Sequence, residues 1–215
     1  FTAAQSIAGW NSDQMLVLYG VFMLVFALQF IFLYPNLVAM GDMVNSGNLD
    51  LLLTKPINAQ LILSFRRISF EELGSISTAM VLLGWLIYKG VIQLTLQSVA
   101  LFLVSILASM LLIYCLFLLL MCLAVFLERL DNMAQLMWSM FSLCRYPVDV
   151  YPSRLRFMFF SFLPVAYIAS VPAAALLGTA SASQIMTGMI IALTATFATT
   201  LLWRRTIRAY TSAGG

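Results

Sequence analysis

LTLQSVALFLVSILASMLLIYCLFLLLMCLAVF, residues 94–126, runs for 33 residues without one Asp, Glu, Lys or Arg. A helix needs about 20 apolar residues to cross a hydrocarbon core about 30 Å thick, so this stretch has residues to spare. Tilt, or an extension into water, takes up the excess. The rest of the chain is built alike: 63% of its 215 residues are hydrophobic, 9% are charged and mean hydropathy is +1.01. Soluble domains hold about 45–50% apolar and about 25% charged residues, and no soluble fold hides this much apolar surface. A transmembrane barrel would alternate apolar and polar residues over segments of about 10, and no such segments occur. The chain reads as all-α: a polytopic transmembrane helical bundle forming a single domain over residues 1–215.

The net charge of +3 is too small to point to nucleic acid, but Lys and Arg near span ends report orientation. Cys115, Cys122 and Cys144 all lie in apolar segments and read as small buried hydrophobes rather than a disulfide or metal set. Histidine is absent, which removes the commonest general base and the usual zinc ligand together. No G-x-x-x-x-G-K-[ST] loop, nucleophile elbow or zinc signature occurs. The carboxylates gather at span ends, which weakens a proton-driven carrier reading. Residue 1 is Phe, with no charged leader or cleavage site. The expectation is that no signal peptide is present and that an N-terminal segment, up to a whole span, precedes it.

The first predicted span runs from about Met15 to Val38, with Pro35 and Asn36 marking its exit. Phe22, Phe26, Gln29 and Leu33 recur at helical spacing and share a face. Gln29 is a polar group deep in an apolar helix, open to an interhelical hydrogen bond or a substrate contact. Residues 40–73 form the one long polar stretch. Within it Asn48 is predicted to cap a short helix, Leu49–Thr54, with Asp50 in its first turn, Lys55 in its last and Pro56 as its stop. Gly47 supplies a flexible entry. Leu49, Leu52 and Leu53 share one face, a docking element in form, although many interfacial helices look this way.

Ser69-x-x-Glu72 predicts a capping box opening a second span that ends near Tyr88, with Glu71 and Glu72 as first-turn carboxylates. After the third span, Glu128-Arg129-Leu130-Asp131 is a charged turn. A shorter apolar segment, about Asn132–Leu143, then places Ala134, Trp138, Phe141 and Arg145 along one face. Pro147, Pro152, Pro164 and Pro172 break the region from Arg145 to Gly178 into two short half-helices, because freed carbonyls in lipid need other partners. Ala166, Ser170, Ala174 and Gly178 recur every fourth residue, a stripe that permits close helix contact. The last span is about Gln184–Trp203, with Trp203 as interface anchor beside Arg204, Arg205 and Arg208.

Charge places residues 40–73, 128–131 and 204–208 on the cytoplasmic side. Two arrangements of Arg145, Arg154 and Arg156 then remain. If they are cytoplasmic, Asn132–Leu143 does not cross and Phe157–Leu177 is a full span, which charge alone favours. If they are outside, Asn132–Leu143 crosses and Phe157–Leu177 dips in and returns.

GNLDLLLTKP, residues 47–56, fits a G-x-L-(D/E)-x-L-L-x-x-P pattern and resembles the cytosolic signature of type-two ATP-binding-cassette exporter permeases, bacterial viologen-exporter-like branch. YPVDVYP at 146–152, followed by Pro164 and Pro172, resembles that branch's segment after the fifth helix, and Gly9-Trp10 and Leu18-Tyr19-Gly20 fit its start. The resemblance covers nearly the whole chain. It implies five spans here, one more before Phe1, and a re-entrant hairpin at about 146–178 on the extracellular side. It also implies a coupling helix in the cytosolic loop at about 40–73, seated in a groove of a cytosolic ABC ATPase. Gly47, Asn48, Leu49, Asp50, Leu52, Leu53, Lys55 and Pro56 are its coupling residues.

By the same resemblance the chain is the permease subunit of an exporter in the bacterial inner membrane, with a cytoplasmic C-terminus and a second permease copy, identical or paralogous, as partner. It needs no cofactor of its own, since ATP and Mg are bound by the partner ATPase. The substrate path is lined by Phe22, Phe26, Gln29, Trp138 and Phe141, an aromatic set suited to flat, amphipathic or cationic molecules. The competing readings are an ion-coupled secondary transporter and a non-transporting assembly subunit.

Overall fold

The structure, a computed structural model, describes residues 9–46, 48–54, 58–127, 133–161 and 165–209, which form helices and turns with no strand among them. In chain order the helices are α1 (Ser12–Phe32), α2 (Tyr34–Asn45), α3 (Asn48–Leu53), α4 (Ala59–Phe65), α5 (Leu73–Tyr88), α6 (Leu96–Leu127), α7 (Met133–Leu143), α8 (Ser153–Ser161), α9 (Ser170–Leu176) and α10 (Ala182–Ala209). Single 3-10 turns at Val148–Val150 and Val165–Tyr167 precede α8 and α9.

The three long helices each open on a side-chain cap. Asn11 Oδ1 accepts from the Gln14 N–H at 2.8 Å while Gln14 Oε1 accepts from the Asn11 N–H at 3.0 Å, a reciprocal box that satisfies two orphan donors of α1. Thr95 and Ser98 repeat it ahead of α6, each hydroxyl accepting the other's N–H at 3.0 Å. Ser181 Oγ accepts from the Gln184 N–H at 3.2 Å to start α10.

These starts lie at one end of the bundle. Lys89, just past α5, pairs with Asp13 at 2.8 Å. Gln14 and Gln184 line one cavity, and Ser12 and Arg145 line another. Thus α1, α6 and α10 run parallel, and α5 and α7 carry the chain back between them.

Among the described residues three stretches are long and apolar enough to cross a membrane: Ser12–Met40, Leu96–Leu123 and Ala182–Arg208. The pair Ser153–Phe160 and Val165–Leu176, bent by 71°, makes a fourth if counted as one broken span. At 16 and 11 residues, α5 and α7 are shorter than the usual crossing. By length and composition, three or four of the five expected spans are found among the described residues.

Several local expectations are corrected. Pro35 does not end the first span; it sits in the first turn of α2, where a missing N–H is tolerated. The Ile31 carbonyl, four residues before the proline, accepts instead from the Ser69 N–H at 3.1 Å, and the Phe32 carbonyl from Asn36 Nδ2 at 2.8 Å. Ser69 is thus committed to α1 and closes no capping box with Glu72. α5 begins at Leu73 with Glu72 as its N-cap and no side-chain cap bond.

Pro172 lies in the first turn of α9 and does not break it, while Gly178, at φ +72°, turns the chain out after Leu177. The small-residue stripe therefore does not lie on one helix: Ala166 belongs to the preceding 3-10 turn and Gly178 to the exit. Trp203 is buried in the core rather than exposed as an anchor. The Glu128–Asp131 turn and Pro164 lie outside the described residues.

Candidate functional site

At the end opposite the capped starts, α2, α3 and α4 form a compact turn of short helices. Leu49 and Leu52 of α3 are buried in the core shared with Leu37, Met40 and Leu63, whereas Leu51 is 67% exposed. Of the leucine face expected to meet a partner, Leu49 and Leu52 are thus turned inward, because a six-residue helix lying under α2 buries the apolar side that meets the bundle. Asn48 is the first residue of α3, and its Nδ2 donates to Ser46 Oγ at 2.8 Å. Gly47, Lys55 and Pro56 lie outside the described residues, as do the side chains of Asp50 and Leu53.

Asn48, Leu51 and the edge of Leu52 border a cleft of about 380 Å³ whose other walls include Asp42, Met43, Arg66 and Arg67. Behind it the loop is fastened to the spans. Asn36, 1% exposed, donates to the Arg67 carbonyl and accepts from the Arg67 N–H, each at 2.8 Å. Gln60 Nε2 donates to Tyr114 Oη of α6 at 2.9 Å and to Thr200 Oγ1 of α10 at 3.1 Å. Ser64 Oγ lies 3.1 Å from the same phenol, and Phe65 stacks on Tyr114 with centroids 6.0 Å apart. The sequence marked Asn36 only as part of the first span's exit and did not mark Gln60, since a lone amide beside an apolar run carries no periodic signal.

Four of the five predicted path residues come together. Phe26 lies 5.3 Å from Trp138 and 6.1 Å from Phe141, ring centre to ring centre, and 5.7 Å from Phe22. These separations fall in the range where tilted and edge-on rings attract. The row is longer than expected: Tyr19, Phe30 and Tyr34 extend it, with Phe30 4.4 Å from Phe26, 5.0 Å from Trp138 and 4.5 Å from Tyr34. The spacing 19, 22, 26, 30, 34 was legible as one helical face. Arg145, predicted on the Trp138 face, places its guanidinium 5.8 Å from the centre of the Phe22 ring.

Gln29 stands apart. It is fully buried, and neither amide atom has a hydrogen-bond partner among the described residues. A buried amide left so is costly, and no described cavity reaches it.

At the capped end, Asp149 gathers the chain's start and its proline-broken segment. Its carboxylate accepts from Trp10 Nε1 at 3.0 Å and pairs with Arg156 at 2.6 Å, beside a cavity of about 320 Å³. Among the described residues no group of three or more His, Cys, Asp or Glu is placed to hold a metal. A family model described as "ABC-2 family transporter protein" matches residues 1–214. No curated protein and no solved structure matches the chain.

Proposed function

This chain belongs to the ABC-2 transporter family, the multi-pass membrane permease component that works with an ABC ATPase, and from that premise we propose that it forms half of an exporter driven by ATP hydrolysed in the partner. The coupling element is α3 with the cleft beside it. The observation that carries this reading is the division of α3: Leu49 and Leu52 anchor it in the permease core, and Leu51 is left outward beside Arg66 and Arg67. A short helix so held moves with the bundle.

Force on Leu51 then has three routes inward: through Leu49 and Leu52 to the core, through Asn36 to α2, and through Gln60 to α6 and α10. Transport follows if the ATP-bound and ATP-free partners contact this surface differently, because only differential contact shifts a conformational equilibrium. The aromatic row along α1 and α7 is the substrate path. α5 and α7 make the return crossings, which with the three long helices gives five, and the bent pair α8–α9 re-enters from the capped end.

In this reading the α3 end is cytoplasmic and holds Arg66, Arg67, Arg204, Arg205 and Arg208. At the capped end Lys89 pairs with Asp13 and Arg156 with Asp149. The test is co-expression with a Walker-motif ATPase, followed by pull-down and export assays in inverted vesicles. ATPase retained by the permease and export that requires ATP support the reading. Absence of the ATPase, with transport following a proton gradient, defeats it.

A further inference from the structure

We propose that the cavity beside Arg145 seats the head group of a free anionic amphiphile, an aromatic or apolar body carrying one carboxylate or sulfonate, and that such anions are the substrate class of this permease. The assignment rests on reading the chain as a permease. The cavity, about 420 Å³, is lined by Ser12, Met15, Leu16, Tyr19, Arg145 and Tyr146. It lies at the capped end of the aromatic row, since Tyr19 lines it and stacks on Phe22 with ring centres 6.4 Å apart.

Three observations set the sign of its ligand. First, among the described residues Arg145 is the only charged one lining it. Second, that guanidinium has no carboxylate or hydrogen-bond acceptor among the described residues, unlike Lys89 and Arg156 at the same end. Third, its guanidinium carbon lies over the Phe22 ring, 5.8 Å from the ring centre, a cation–π contact that leaves its N–H donors unspent for a ligand. A guanidinium edge matches a carboxylate or sulfonate through two parallel hydrogen bonds, and apolar surroundings strengthen them. An organic cation meets like charge at this point, and the first ring of the row already carries a cation. The broad class of flat, amphipathic or cationic molecules thus narrows to anions with an apolar body.

The test uses the full chain in phosphatidylcholine nanodiscs and two radiolabelled probes of matched shape, 2-naphthalenesulfonate and 2-naphthyltrimethylammonium, measured by equilibrium dialysis. The anion is expected to bind at least about ten-fold tighter, the factor that one charge-assisted hydrogen bond brings. Arg145→Gln removes that preference, and Arg145→Lys, which keeps the charge but loses the two-pronged edge, retains only part of it. Should Arg145→Gln not fold, Tyr146→Ala, which opens the cavity wall, is expected to weaken the anion about five-fold while leaving Arg145 in place.

Arg154→Gln, at the same end but off the cavity, leaves binding unchanged. Equal binding of the two probes, a preference for the cation, or an equal loss in Arg154→Gln overturns the proposal. Displacement of the anion when phosphatidylglycerol replaces part of the phosphatidylcholine also overturns it, since the site then belongs to a lipid head group. ATPase pull-down is scored separately. Its failure removes the exporter reading and leaves the anion preference standing, whereas loss of preference with the ATPase still bound removes the substrate assignment alone.

Discussion

Asn36 holds both backbone groups of Arg67, donating to its carbonyl and accepting from its N–H. One buried amide thereby joins the α2 end of the first span to the segment that leads into α5. Asn36→Leu strips both bonds at once, together with the one to the Phe32 carbonyl, at a part-buried site, at a cost of about 1–3 kcal/mol. The expected outcome is a lower melting temperature in detergent together with ATP hydrolysis no longer tied to export. Asn36→Asp, which retains the acceptor alone, is expected to fall between. Wild-type melting in Asn36→Leu refutes the clamp.

Leu51 and Leu52 are neighbours with opposite fates. Leu51→Asp is expected to leave expression and melting unchanged while abolishing ATPase co-purification, because that side chain is 67% exposed. Leu52→Ala, by contrast, opens a hole in the core and is expected to cost about 2–5 kcal/mol. If Leu52→Ala melts like wild type and Leu51→Asp does not fold, the orientation of α3 is wrong.

Across the aromatic row, Phe26 and Trp138 are the pair that links α1 to α7. A double-mutant cycle with Phe26→Ala and Trp138→Ala is expected to show coupling of about 0.5–1.5 kcal/mol. Trp138→Ala alone is expected to alter substrate affinity more than stability, since the indole is 45% exposed. Additive effects in the cycle count against the contact.

Gly188 of α10 lies under the Tyr167 ring: a Cβ there would come within 2.4 Å of Cδ1. Tyr167 is itself buried, and its carbonyl accepts from Ser109 Oγ at 2.8 Å. Gly188→Ala is therefore expected to displace the ring and cost about 1–3 kcal/mol by overpacking. Gly84→Ala, with nothing within 4 Å, serves as the control and is expected to be neutral or mildly stabilising. Identical melting of the two variants rules out the close approach.

Burial pushes the Cys144 thiol up to about 12. The thiolate is the reactive form, so at pH 8 only roughly one such thiol in 10,000 is ionised. Maleimide labelling of Cys144 in a variant lacking Cys115 and Cys122 is expected to run at least about 100-fold slower folded than denatured. The native rate should keep climbing from pH 8 to pH 10 without a plateau, because the whole window lies below the raised pKa. A plateau near pH 9 is the contrary result.

The long spans were legible because 33 uncharged residues in a row leave water no favourable place, whatever the packing. The same holds for the aromatic set on α1 and α7, whose helical spacing puts the rings on common faces before any contact is known. Composition likewise excluded a soluble domain, and the run at 47–56 pointed to the family that matches residues 1–214.

What the sequence did not carry are the choices made between distant segments. Whether Ser69 caps its own helix or bonds the Ile31 carbonyl depends on which acceptor Pro35 leaves open nearby. Whether α3 shows Leu49 and Leu52 or Leu51 to the outside depends on which side α2 covers. A hydrogen bond or an apolar face has many local partners of similar energy, and only the packed bundle, by excluding water from all but one arrangement, selects among them.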